Sequence, residues 1–184
     1  SVPVIIHEQT LVSGLANKIS TYFSDKICLS FAPTPFVQKE NIFLTGNPIR
    51  KEIMQPENKL DGEYERIFKT AKRDKLPVLL ITGGNQGSHI LNLAVEEILS
   101  KLTKVAAVIH ATGDNKFHDF QRLEKLQNDH YLTKRWISDE WGSVLSKIDL
   151  VISRAGINTL SELAYLGKPA LVIPVPYLYQ DEQN

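Results

Sequence analysis

The chain has 184 residues, with 21 Lys plus Arg against 21 Asp plus Glu, so its formal net charge is zero with His neutral. At 42% hydrophobic and 23% charged residues it can bury a core, which excludes a disordered acidic or basic tail and gives no general reason to bind nucleic acid or anionic lipid. Its one cysteine, Cys28, excludes an internal disulfide and a Cys-based metal site and leads us to expect a reducing compartment.

The first residue is Ser, and the chain is expected to be a piece of something longer. Residues 2–6 read as a buried strand that ends in His7-Glu8-Gln9-Thr10. Residues 11–22 read as a helix, with Leu15, Ile19 and Tyr22 at spacings of three and four. Short strands are predicted over 26–31 and 41–45, the second closed by Gly46-Asn47-Pro48. The charged stretch 50–75 holds Pro56 and Gly62, has weak helical periodicity over 64–71, and reads as a connection between two packed units.

Alternation is clearer beyond it. A strand over 76–82 leads into Gly83-Gly84-Asn85-Gln86-Gly87. A helix over 88–102 follows, with Leu91, Val95, Ile98 and Leu102 on one face. Strands are then predicted over 105–110, 131–137, 149–153 and 170–175, and helices over 116–128, 140–146 and 159–166. Such repetition means α/β architecture: a parallel sheet covered by helices on both faces.

Ligands of open α/β sheets bind outside the carboxyl ends of the strands. The glycine turn over 83–87 follows a strand and opens a helix. Its backbone amides and the helix N-terminus suit a phosphate or diphosphate, although a plain tight turn fits as well. It is not a P-loop, because the Gly-Lys-Ser/Thr ending is missing. In the turn over 153–162, Thr159-Leu160-Ser161-Glu162 fits a capping box, so Glu162 has a structural reading. Its other reading is a carboxylate that accepts hydrogen bonds from a ribose diol. Arg154 suits either a phosphate or a surface carboxylate. His7 and His110 read as packed, hydrogen-bonded strand ends, and Trp136 and Trp141 as core or interface residues. The five His show no metal-ligand spacing.

Seven motifs in order carry a resemblance: His7-Glu8-Gln9, Gly14-Leu15-Ala16-Asn17-Lys18, Gly46-Asn47-Pro48-Ile49-Arg50, Gly83 through Ser88, Ser153-Arg154-Ala155-Gly156 with Thr159 and Ser161-Glu162, Gly167-Lys168-Pro169-Ala170, and Asp181 with Gln183-Asn184. Together they resemble the MurG family of peptidoglycan N-acetylglucosaminyltransferases, of GT-B fold with two Rossmann-like domains.

The resemblance implies that residues 1–48 close an acceptor domain, 49–75 connect, and 76–184 form most of a donor domain. It implies transfer of N-acetylglucosamine, with inversion, from UDP-N-acetylglucosamine to the C4 hydroxyl of the muramoyl sugar of lipid I, without a cofactor or metal. The place would be the cytoplasmic face of the bacterial membrane, held by peripheral contact through a part absent here, and the process cell-wall synthesis and with it cell shape and division. No nucleic-acid partner is expected. The catalytic group is expected outside this chain, so the isolated chain should bind UDP with little or no turnover.

By the same resemblance, Arg50 is a phosphate-side arginine, and Asn85 stands where the family usually has Ser near the diphosphate. The Ile137 backbone meets uracil. Ile157, Asn158, Thr159, Leu160, Ser161 and Glu162 hold nucleotide and ribose, with Glu162 on the diol, and Gln183 reads the sugar. Thr10 replaces the Asn that many members carry after His-Glu-Gln. Gly83, Gly84, Gln86, Gly87, Gly156 and Asn184 are secondary candidates. Two rival readings are a non-catalytic UDP-sugar-binding module and a UDP-N-acetylglucosamine epimerase of the same architecture; Gly-Asn-Pro-x-Arg beside His-Glu-Gln favours the transferase.

Overall fold

The computed structural model describes residues 2–32, 41–57 and 60–175. Two compact units divide the chain, one holding the residues up to Ile49 and the other Arg50–Pro174.

The first unit contains β1 (Ile5–Glu8), α1 (Leu15–Ser20) with a 3-10 turn over Thr21–Phe23, β2 (Lys26–Leu29) and β3 (Ile42–Leu44). Its strands are parallel in the order β1-β2-β3, with Glu8 opposite Leu29 and Leu29 opposite Leu44. The predicted helix over 11–22 starts late, and Glu8 explains why. Its buried carboxylate accepts from the Thr10 and Gly14 amides, both at 3.0 Å, and from Asn17 Nδ2 at 2.9 Å. These bonds fold residues 9–14 back onto β1 before α1 can begin. Burial pushes the Glu8 carboxyl up, and the hydrogen bonds from Asn17, Thr10 and Gly14 together outweigh it, leaving it below the usual carboxylate value.

The second unit begins with α2 (Lys51–Met54) and α3 (Gly62–Asp74). The stretch read from sequence as a connection therefore carries packed helices. Asp61 caps α3 by accepting from the Glu63 and Tyr64 amides at 3.0 Å. Tyr64, Ile67, Thr70 and Ala71, at spacings of three and four, form its buried face. Then come β4 (Val78–Thr82), α4 (His89–Leu102), β5 (Ala107–Ala111), α5 (Asp119–Glu124), β6 (Tyr131–Lys134), α6 (Trp141–Lys147), β7 (Leu150–Arg154), α7 (Ile157–Tyr165) and β8 (Ala170–Ile173).

All five strands of this sheet are parallel, in the order β6-β5-β4-β7-β8. Every residue of β4 and β5 is buried, as central strands covered on both faces require. Leu91, Val95 and Leu99 of α4 pack on Leu79, Ile81, Val108 and Tyr131; each such side chain contributes about 1.5–3 kcal/mol by leaving water. Ile98, predicted on that face, is 47% exposed. The buried arc is turned toward Asn92, which is fully buried because its amide donates to Thr112 O and Asp119 Oδ2.

Two other helices differ from expectation. The helix predicted over 116–128 is confined to α5, because the Asn115 side chain accepts from the Phe117 amide and turns the chain, while His118 enters the left-handed region at φ 54°. The predicted capping box at Thr159 does not form. α7 starts at Ile157 with Gly156 as its N-cap, so Thr159 and Glu162 lie inside the helix. Gly156 has an extended backbone and no side chain to compete with helix entry, which moves the start forward.

Candidate functional site

In the second unit the chain runs outward from β4 through β5 to β6, then returns to the other side of β4 with β7 and β8. The order reverses between β4 and β7, where a doubly wound sheet opens its ligand crevice at the carboxyl ends. The glycine turn leaves β4 at that point, and Ala155-Gly156 leaves β7.

The two turns are tied together. Arg154 donates from Nε and Nη2 to Ser88 Oγ at 3.0 and 2.7 Å, and from Nη1 to Pro174 O at 3.0 Å. Its donors go to a hydroxyl and a carbonyl rather than to a surface carboxylate, one of the two partners read from sequence, and hold the start of α4 against the ends of β7 and β8. Inside the glycine turn, Gly87 N–H donates to Gly84 O and Gly84 N–H to Thr82 Oγ1. Gly84, Asn85 and Gln86 are exposed, Gly83 and Gly87 half-buried. Gly87 has φ 73°, and a Cβ there would fall on the Thr112 carbonyl oxygen; a Cβ on Gly113 would strike the Gly87 backbone in return. The turns after β4 and β5 therefore abut backbone to backbone, which only glycine permits.

A buried polar network fixes the second of those turns. Asp119, 1% exposed, accepts from Asn92, Asn115, His89 and Arg122 at 2.7–2.9 Å. His110 lies between Tyr131 OH at 2.9 Å and Asn92 Oδ1 at 3.0 Å. Because Asn92 offers a carbonyl oxygen there, His110 donates from Nε2 and accepts the Tyr131 hydroxyl at Nδ1. Burial drives its pKa down to about 4, against a smaller opposing pull from Asp119. This is the packed, hydrogen-bonded role expected from sequence. His7 is similar, with Nε2 bonded to Gly46 O and Ser30 Oγ at 3.2 Å.

Glu162 sits one turn into α7, 3% exposed. Arg50 donates to both of its oxygens, from Nε to Oε1 at 2.6 Å and from Nη2 to Oε2 at 2.9 Å. Trp141 Nε1–H adds a third bond to Oε2 at 2.8 Å, and the Arg50 guanidinium lies 5.7 Å from the Trp141 ring centroid. The hydrogen bond to Glu162 raises the Arg50 pKa further above its ordinary value. The Glu162 carboxylate is thus held by charge and indole, not by its own helix start. Sequence reasoning passed over Trp141 as a polar partner. The signal available was general: a buried indole N–H needs an acceptor.

Ile157, Thr159, Leu160 and Ser161 are half-buried on α7, and Asn158 and Gly156 are exposed at its start. Leu160 N–H to Gly156 O is the first bond of that helix, so the amides of 157–159 precede the helical ladder, at its positive end. Ile137 is half-buried just past β6. Its neighbour Trp136 donates from Nε1 to Asn85 O at 3.1 Å, which joins the β6 end to the glycine turn. Ser153 Oγ, at the end of β7 and opposite Thr82, is buried without a hydrogen-bond partner among the described residues. Thr10 belongs to the first unit, where its hydroxyl lies 2.8 Å from Glu8 Oε1 and 2.7 Å from Val12 O. Gln183 and Asn184 lie outside the described residues. Among the described residues no group of three or more His, Cys, Asp and Glu is placed to hold a metal ion, and no helix is long and apolar enough to cross a membrane.

Residues 78–184 match the glycosyltransferase family 28 C-terminal domain. The chain belongs to this family. Family members that it resembles include a UDP-N-acetylglucosamine--N-acetylmuramyl-(pentapeptide) pyrophosphoryl-undecaprenol N-acetylglucosamine transferase of Clostridium novyi (strain NT), 37% identical over 95% of this chain and 47% of the relative. The protein of the same description from Desulforamulus reducens is 35% identical over 100% of this chain and 50% of its own length. The chain spans about half the length of the curated relatives it matches. The crystal structure of Acinetobacter baumannii MurG matches with a TM-score of 0.65 at 27% identity, over 100% of this chain and 49% of that one. These findings bear out both the resemblance carried by the seven motifs and the α/β, parallel-sheet architecture.

Proposed function

We propose that this chain supplies the grip on UDP-N-acetylglucosamine for the transfer of N-acetylglucosamine to lipid I, giving lipid II at the cytoplasmic face of the membrane. The observation that carries the reading is the pairing of two turns at the sheet's switch point, one glycine-rich and one opening α7, with a buried carboxylate one turn further on. The names of the curated relatives supply the substrate class.

In this reading the Ile137 backbone meets the uracil, the Glu162 carboxylate accepts from the ribose diol, and the amides opening α4 and α7 face the diphosphate. Arg50 and the side chain of Asn85 add donors on the phosphate side. The acceptor C4 hydroxyl, relieved of its proton by a general base, displaces UDP at the anomeric carbon with inversion. Charge grows on the departing diphosphate, and fixed amide dipoles with a guanidinium stabilise it most in the transition state. The arrangement calls for no metal.

Calorimetric titration tests the reading. UDP and UDP-N-acetylglucosamine should bind in one saturable event, and GDP much more weakly. Failure of UDP to bind, or equal binding of GDP, would overturn it.

A further inference from the structure

We infer that Arg50 and the nucleotide diol compete for Glu162, so that the site accepts a nucleoside well only when it brings a diphosphate for Arg50. This rests on the proposed placing of the diol on Glu162, and it concerns how that site selects its ligand. Arg50 engages both carboxylate oxygens, and the two contacts at 2.6 and 2.9 Å form the parallel fork of a guanidinium–carboxylate pair. A carboxylate has about four lone-pair sites, and Arg50 and Trp141 take three of them; a cis diol brings two O–H donors, so it cannot bind both without displacing Arg50. Approach is one-sided. The Glu162 side chain is 4% exposed and Trp141, its other partner, 7%. Arg50 is the solvent-facing member of the trio, with 49% of its side chain exposed.

The two sides of the pair are therefore unequal. A buried carboxylate cannot lose its donor without a replacement, whereas a half-exposed guanidinium can leave into water or onto another anion. A diol without phosphate replaces a charged donor fork by a neutral one and leaves Arg50, among the described anionic groups, with Glu52 at 3.6 Å from its Nη1. A diphosphate gives Arg50 a stronger anion than the one it surrenders. Diol and diphosphate are thus read together, and the selectivity for a nucleoside diphosphate over its nucleoside exceeds what phosphate contacts alone confer.

The test compares uridine and UDP on the wild-type chain and on Arg50→Met. Removing the competitor should tighten uridine by about threefold and weaken UDP by about tenfold, collapsing the ratio of their dissociation constants. A uniform loss for both ligands, or unchanged uridine binding, would overturn the inference and leave Arg50 as a support for Glu162. Glu162→Gln separates the two readings: if UDP binds and this substitution weakens neither ligand, the placing of the diol has failed rather than the competition. Since Arg50→Met leaves a buried carboxylate and can impair folding, the Arg50 Nε–H resonance of the wild-type chain provides a second measurement. It should shift on saturation with UDP; an unmoved resonance in the bound protein would contradict exchange.

Discussion

Asp119 and Glu162 are both buried in the second unit, on opposite sides of the sheet's switch point, and their surroundings differ in kind. Asp119 accepts from four side chains, two of them the amides of Asn92 and Asn115, within a network that continues to His110 and Tyr131. Burial pushes its carboxyl up, and the hydrogen bonds from Asn92, Asn115, His89 and Arg122 outweigh that and hold it below the usual value. Glu162 has one buried partner, Trp141, and one half-exposed partner, Arg50. Burial alone does not distinguish a structural carboxylate from one available to a ligand. In the proposed reading the replaceability of its donors does: the Asp119 side is locked by interlinked groups, and the Glu162 side exchanges one donor without dismantling the fold.

That contrast can be broken from the locked side first. Gly87→Ala should have the largest effect, because it adds left-handed strain and drives a Cβ into the Thr112 carbonyl; we expect a loss of about 4 kcal/mol in urea unfolding. Stability within about 1 kcal/mol of wild type would show that the two turns are not packed as described.

His110 gives a pH signature to the same side. The unfolded residue takes up its proton near pH 6.5, while the folded one resists until about pH 4. Between those values the unfolded chain binds more protons, so stability falls as the pH drops through the window, by about 3 kcal/mol in all. His110→Gln should flatten that slope in denaturation series. An unaltered slope would place the titration elsewhere.

Ser88→Ala should do least. It removes the hydroxyl that accepts from Arg154 but leaves the Pro174 carbonyl contact, for a loss of about 1 kcal/mol. A much larger loss would move the tie between the β4 and β7 turns into the locked class.

The order of strands and turns was legible because β-branched runs and glycine punctuation are local signals. The abutting turns followed less directly: the glycine run over 83–87 marked the first of them, but not that it packs on the turn after β5. Element ends were less legible where a distant side chain decides them, as Glu8 does for α1 and Asn92 for the buried face of α4. The capping-box pattern at Thr159 was locally sound and lost to a start at Gly156, with Glu162 taken by partners 21 and 112 residues away. No spacing rule reaches that far. The motif resemblance singled out Arg50 and Glu162 separately; their pairing with each other appears only in the fold.

Titration of UDP into the wild-type chain and into Glu162→Gln, with unfolding measured on both, tests the central claim most directly. The substitution keeps the shape and the bond from Trp141, so stability should change by about 1 kcal/mol while UDP affinity falls about tenfold or more. Unchanged UDP affinity together with a large loss of stability would contradict the account, because Glu162 would then belong with Asp119 among the locked carboxylates.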